Sequence, residues 1–111
     1  MKELKETAEL MCSADYKERF AAEYYQNETR YLKLLTMCEK WDNGTLEFTP
    51  TCERKIYDRQ LSAMLANLFV LFERSGIEGV RLEIDPKMTA VFAAHTDNQV
   101  IISKQVRVDI S

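Results

Sequence analysis

Between Pro50 and Gly79 the chain places apolar residues at Tyr57, Leu61, Met64, Leu68 and Leu71. Alternating steps of four and three put all five on one side of an α-helix. Leu65, Phe69 and Phe72 form a second stripe beside the first. One partner helix covers one stripe. Two stripes demand a wider cover, from a second partner, a sheet or another subunit. The spacing predicts a helix from about Cys52 to Ser75. Thr49-Pro50-Thr51 would start it, since proline suits a first turn and either threonine can cap. Gly76 and Gly79 would end it.

A second run, from about Asp15 to Trp41, contains no Gly or Pro. Phe20, Tyr24, Asn27, Tyr31, Leu34, Cys38 and Trp41 repeat the four-three alternation, which predicts a helix over 15–41 of about 40 Å. Asn27 interrupts the apolar stripe. It reads as a register-fixing polar residue, as in coiled coils, or as a polar group facing a ligand. Ser13 or Asp15 can cap this helix, and Asp15 with Glu18 has the spacing of a capping box. Residues 2–11 have a helical composition but are too short to be stable alone. Asp42-Asn43-Gly44 is a helix stop. Leu46 and Phe48 alternate with polar residues in a connection expected to lie extended across the helix ends. The two long helices are expected to pack as an antiparallel hairpin over residues 1–79.

Past Gly79 the period changes to two. Val80, Leu82 and Ile84 alternate with Arg81 and Glu83. Asp85-Pro86-Lys87 reads as a turn, Met88 to Ala94 as a second strand, His95–Asn98 as a loop, and Val100–Ile110 as one or two more strands. The predicted class is therefore α+β: a long antiparallel helical hairpin followed by a small C-terminal antiparallel β meander over 80–111. The strands could pair within one subunit or between subunits.

The chain has 111 residues, enough for one domain with a modest core. Its net charge of −3 argues against non-specific nucleic-acid binding, which uses a basic surplus. The N-terminal MKELKETAELM has acidic residues breaking every apolar run, so it is not read as a secretory leader. No stretch is apolar enough to span a bilayer. A cytosolic protein without membrane partners is expected. Cys12, Cys38 and Cys52 are odd in number with no close pair, so reduced thiols are expected rather than a disulfide framework. Three scattered Cys and one His do not make a zinc site.

Neither phosphate-loop nor dinucleotide-fold glycine patterns occur, nor HExxH, nor GxSxG. His95 is the single histidine and has no nucleophile near it in sequence. An enzyme is therefore not expected, and no cofactor is implied. The one cluster with binding chemistry opens the second helix. A helix N-terminus attracts anions through its free N–H groups, and Arg54, Lys55 and Arg59 add cations there. Tyr24, Tyr25, Tyr31 and Tyr57 could stack bases. Tyr24, Tyr25, Asn27, Arg54, Lys55, Tyr57 and Arg59 are the candidate residues for an anionic nucleotide. The plainer reading of the same residues is a charged helix face with tyrosines in the core.

The segments SADYKERFAAEYY (13–25), EKWDNGTLEFTPTC (39–52) and YDRQLSAM (57–64), with the IEG at 77–79, resemble a family of small phage and prophage helical hairpins related to a protein of crAss-like phages. Two features depart from that pattern. Glu53 stands where members often have Pro, and some thirty residues follow the IEG where many members end. The resemblance implies the hairpin. Its architecture is also similar to that of phage immune-evasion sponges, oligomers that sequester the cyclic nucleotide or cyclic ADP-ribose signals of bacterial defence. The implied partners are a second copy of the chain and a small anionic nucleotide. The alternative is a host protein bound or inhibited by the oligomer, or a phage accessory structural role. The implied location is the cytoplasm of the infected bacterium.

Overall fold

A computed structural model describes residues 2–95. They form four helices in chain order: α1 (Leu4–Met11), α2 (Tyr16–Asp42), α3 (Arg54–Glu78) and α4 (Pro86–Ala94). No helix among them is long and apolar enough to cross a membrane.

The hairpin of α2 and α3 is the frame. Tyr16 bonds to Glu78, Asn27 to Asn67, and Asp42 to Arg54. One index climbs as the other falls, so the helices run antiparallel with a fixed register. Asp15 caps α2, its carboxylate accepting from the Lys17 N–H at 2.9 Å. Asn43 and Gly44 (φ +80°) release the chain at the other end. The expected 15–41 helix is thus matched to one residue.

The second helix starts later and ends later than its sequence suggested. Glu53 is the N-cap of α3, and Thr49-Pro50-Thr51 lies before it, outside the helix. Gly76 is carried within α3. Gly79 ends it at φ +70°, and the Val80 N–H donates back to the Ser75 carbonyl at 2.8 Å. A Cβ on Gly79 would meet only the Lys17 amine, at 3.7 Å, so a side chain there is opposed by backbone conformation and not by space. Gly79→Ala is expected to cost about 1 kcal/mol and to lower the melting temperature by about 4 °C. An unchanged melting curve would contradict this left-handed stop.

The two stripes on α3 have different covers. Leu68 and Leu71 are buried with Phe20, Tyr24 and Tyr31 of α2 in the core. The Leu65, Phe69 and Phe72 side meets α4: Phe92 lies 4.7 Å from the Phe69 ring and 5.6 Å from that of Phe72. α1 packs on α2, where the buried Thr29 hydroxyl donates to the Lys2 carbonyl. So α1, the 80–85 segment and α4 all add to a hairpin that is open elsewhere.

The expected β meander is corrected. Among the described residues there is no strand, and the class is all-α. Val80 is buried, and Leu82 and Ile84 pack half-buried against the core, so their alternation is real. The backbone between them, however, bonds to helix side chains, and no strand pairs with it among the described residues. The Glu83 N–H donates to the Tyr25 hydroxyl at 2.8 Å, and the Asp85 N–H to Glu28 Oε2 at 3.3 Å. Asp85-Pro86 is a helix start rather than a turn. The Asp85 carboxylate accepts from the Lys87 N–H at 2.9 Å, with Pro86 in the first turn. Met88–Ala94 is therefore helical. The strands expected over Val100–Ile110 lie outside the described residues.

Candidate ligand-binding site

At the junction end of the hairpin the last turn of α2 meets the first turn of α3. Arg54 grips Asp42 with two parallel bonds, Nε to Oδ1 at 3.0 Å and Nη2 to Oδ2 at 3.1 Å, and reaches Asp58 Oδ1 at 2.6 Å. The bond from Arg54 holds the Asp42 carboxyl below its ordinary range. Arg54 is thus a clamp between helices, with its charge matched by two carboxylates. Lys55 and Arg59 are exposed on the same turns. Neither has an ion-pair partner among the described residues. Glu53 makes no side-chain bond to the helix it precedes, and the first turn of α3 holds no acidic residue. Its leading N–H groups and two cations therefore face one end of the molecule with no side-chain cap. Trp41 and Tyr57 meet edge to face at the same end, ring centres 5.9 Å apart, on the side of α3 turned away from Lys55 and Arg59, since two residues are about 200° of helix. The uncapped helix start with its two cations can receive a phosphate-sized anion, and the aromatic pair at the same end can meet a flat group.

Tyr24, Tyr25 and Asn27 are elsewhere. Tyr24 lies eighteen residues before Asp42 on the same helix, about 27 Å along its axis. Its ring is wholly buried and its hydroxyl donates to Glu28 Oε2 at 2.9 Å. Burial, with Glu28 beside it, pushes that hydroxyl far above the ordinary tyrosine range, so it stays a proton donor. Tyr25 is buried against it, ring centres 5.8 Å apart. Asn27 donates to the Glu23 carbonyl at 2.8 Å and accepts from Asn67 at 3.3 Å. The seven candidate residues thus divide into two groups. Arg54, Lys55, Tyr57 and Arg59 all lie at the junction end, Arg54 and Tyr57 against α2 and Lys55 and Arg59 exposed. The other three belong to the core and to the middle of the hairpin.

A groove of about 330 Å³ opens between α2 and the start of α4, lined by Leu32, Lys33, Thr36, Asp85 and Lys87. Lys87 reaches Thr36 Oγ1 at 3.2 Å and Glu39 Oε1 at 3.1 Å. Asp85 and Glu39 balance the two lysines, so the groove does not single out an anion. Reading α4 as a strand hid this groove from the sequence. Glu28 was also missed. It sits four residues after Tyr24, on the apolar face of α2, and a carboxylate in that position is a legible signal. Only 1% of it is exposed, and burial raises its pKa above the ordinary value.

His95 caps α4, with Nδ1 2.9 Å from the Val91 carbonyl. Cys38 is buried, and Cys12 and Cys52 are exposed. No group of three or more His, Cys, Asp and Glu side chains suited to a metal occurs among the described residues.

A family model described as Sequestin matches residues 14–76, more than half of the chain, spanning α2, the junction and most of α3. No curated protein and no solved structure matches the chain.

Proposed function

The chain belongs to the Sequestin family, and from that membership we propose that it works as a small binding protein that sequesters a ligand without transforming it. The family's name speaks of sequestering, and the matched residues include the whole junction corner. The ligand in this reading is a small anionic nucleotide, of the cyclic kind used as a signal in bacterial defence. The protein would act for a phage, in the cytoplasm of the infected cell. One observation carries the choice of an anion: among the described residues Lys55 and Arg59 stand free of ion pairs beside an α3 N-terminus that has neither side-chain cap nor acidic first turn. Trp41 and Tyr57 supply the surface for a base.

A calorimetric titration with cyclic di- and trinucleotides and cyclic ADP-ribose isomers tests this reading. Arg54 is a poor site for the decisive variant, because a glutamate there would face Asp42 and Asp58. Lys55→Glu with Arg59→Glu leaves that clamp intact. The double variant is expected to melt like the parent and to bind at least about a hundredfold more weakly, two reversals at about 1.4 kcal/mol each. Parental affinity in the variant would remove the junction as the site.

A second reading, binding of a host protein, is favoured by Phe48 and Ile56. Both are large apolar residues at this same end, 58% and 44% exposed. Their replacement by serine should then weaken a protein complex and leave nucleotide binding unchanged.

A further inference from the structure

On the α4 side of the hairpin, the second stripe of α3 loses its cover toward the end of the helix. Leu65 and Phe69 are 6% and 9% exposed, but Phe72 is 46% exposed, although Phe92 of α4 lies against it. Gly76 follows one turn beyond Phe72, on the same side of α3. Among the described residues only Gly44 and Gly79 have positive φ, so the backbone does not call for a glycine at 76. A glycine inside a helix is costly beside an alanine. Gly76 is exposed, and a Cβ on it would meet nothing within 4 Å outside the helix's own backbone. Next to the open Phe72 ring it leaves a bare notch that another backbone can approach closely.

We propose that Val100, Ile101 and Ile102 dock in this notch of their own chain, covering the Phe72 ring and resting on the bare surface at Gly76. The place where the chain leaves α4 selects this occupant. His95, the C-cap of α4, is three residues beyond Phe92, and the Phe92 ring lies 5.6 Å from that of Phe72. Thr96, Asp97, Asn98 and Gln99 then form a polar spacer. The next three residues are the one run of three consecutive large apolar side chains after α4; Val106, Val108 and Ile110 stand singly among polar neighbours. Five residues of chain reach at most about 17 Å, and Phe72 and Gly76 are about 6 Å apart along α3. The run is therefore within reach of the notch from where α4 ends. Docking there completes the cover that the second stripe demands and gives Gly76 a packing role. The proposal does not depend on the ligand reading.

Thermal melting of the full chain, followed by circular dichroism, tests it. The tail variant, with Val100→Ser, Ile101→Ser and Ile102→Ser together, should melt at least about 4 °C below the parent. Phe72→Ala should also lower the melting temperature. Combined with the tail variant, its shift should fall short of the sum by at least about 2 °C, as for groups in contact. Gly76→Ala reads the notch without touching an aromatic ring. In the tail variant the notch is empty, and the alanine should raise the melting temperature by about 4 °C through helix propensity alone. In the parent the new methyl meets the docked residues, and that rise should be absent or reversed. Light scattering should give the tail variant the same mass as the parent. Fully additive shifts, an equal rise for Gly76→Ala in both chains, or a tail variant of lower mass, which would put the run on a second copy, would each overturn the proposal.

Discussion

Leu68→Asp is expected to abolish the cooperative melting transition. Leu68 is fully buried at the centre of α3, packed in the cluster that includes Phe20, Tyr24, Leu65 and Leu71. The replacement removes about 2 kcal/mol of apolar burial. It also places a carboxylate where water does not reach it, costing several kcal/mol more. That sum rivals the whole stability of a domain this size, about 5–15 kcal/mol. Two controls separate burial from mere substitution. Leu68→Met conserves volume and should cost less than about 1.5 kcal/mol. Ser62→Asp, on an exposed position of the same helix, should stay within about 0.5 kcal/mol. An aspartate variant that melts like the parent would mean that α3 does not present this side to the core.

The second large effect is expected at Glu28. Its carboxylate accepts from the Tyr24 hydroxyl and from the Asp85 N–H, so one buried group ties α2 to the segment that leads into α4. Glu28→Ala takes the acceptor from a buried hydroxyl and leaves a cavity, together about 3 kcal/mol. Glu28→Gln keeps an oxygen in place and should cost much less. The two forms also differ in pH dependence. Burial raises the Glu28 pKa above 4.5, so the folded protein holds this proton more firmly than the unfolded chain. That contribution is fully present below the unfolded value and is lost as pH rises through the folded one. The parent should therefore lose stability as pH rises above 4.5, and the glutamine variant should lack this component. Asp42 and Glu78 act in the opposite sense at lower pH. Bonds from Arg54 and from Tyr16, respectively, hold them low, and their contributions disappear on further acidification. Identical pH profiles for parent and Glu28→Gln would show that the carboxylate is not buried as described.

The hairpin was legible because its signal is long. Two runs of some 25 residues, four-three spaced and almost without glycine, leave little choice but helix. The ends were harder. Gly76 reads as a stop, yet helices tolerate one glycine at about 1 kcal/mol, and only the positive φ at Gly79 ends α3. The C-terminal error has a different origin. Val80, Leu82 and Ile84 do alternate, but alternation reports an extended segment against a core and not what its backbone bonds to. The acceptors here are Tyr25 and Glu28, some 57 residues earlier. Seven residues of Met88–Ala94 are too few to distinguish a short helix from a strand by period. Asp85-Pro86, a cap and a first-turn proline, was the deciding signal.

The grouping of the candidate residues was partly legible, for a geometric reason. Arg54, Lys55, Tyr57 and Arg59 share the first turns of one helix, so sequence proximity places them at one end of the hairpin, though not on one face. Tyr24 and Tyr25 are candidates by residue type alone, and their distance from the junction follows from counting residues along α2. The clamp from Arg54 to Asp58 is a spacing of four on one helix and could be read. The clamp to Asp42 crosses helices and needed the hairpin register.

Native mass spectrometry of the purified protein with the same panel of cyclic oligonucleotides and cyclic ADP-ribose isomers tests sequestration most directly, because it reports bound mass and ligand integrity together. A saturable adduct of unaltered ligand mass is expected with at least one member of the panel, recovered intact when the protein is denatured. No adduct with any member, or recovery of the ligand as a converted product, would contradict it.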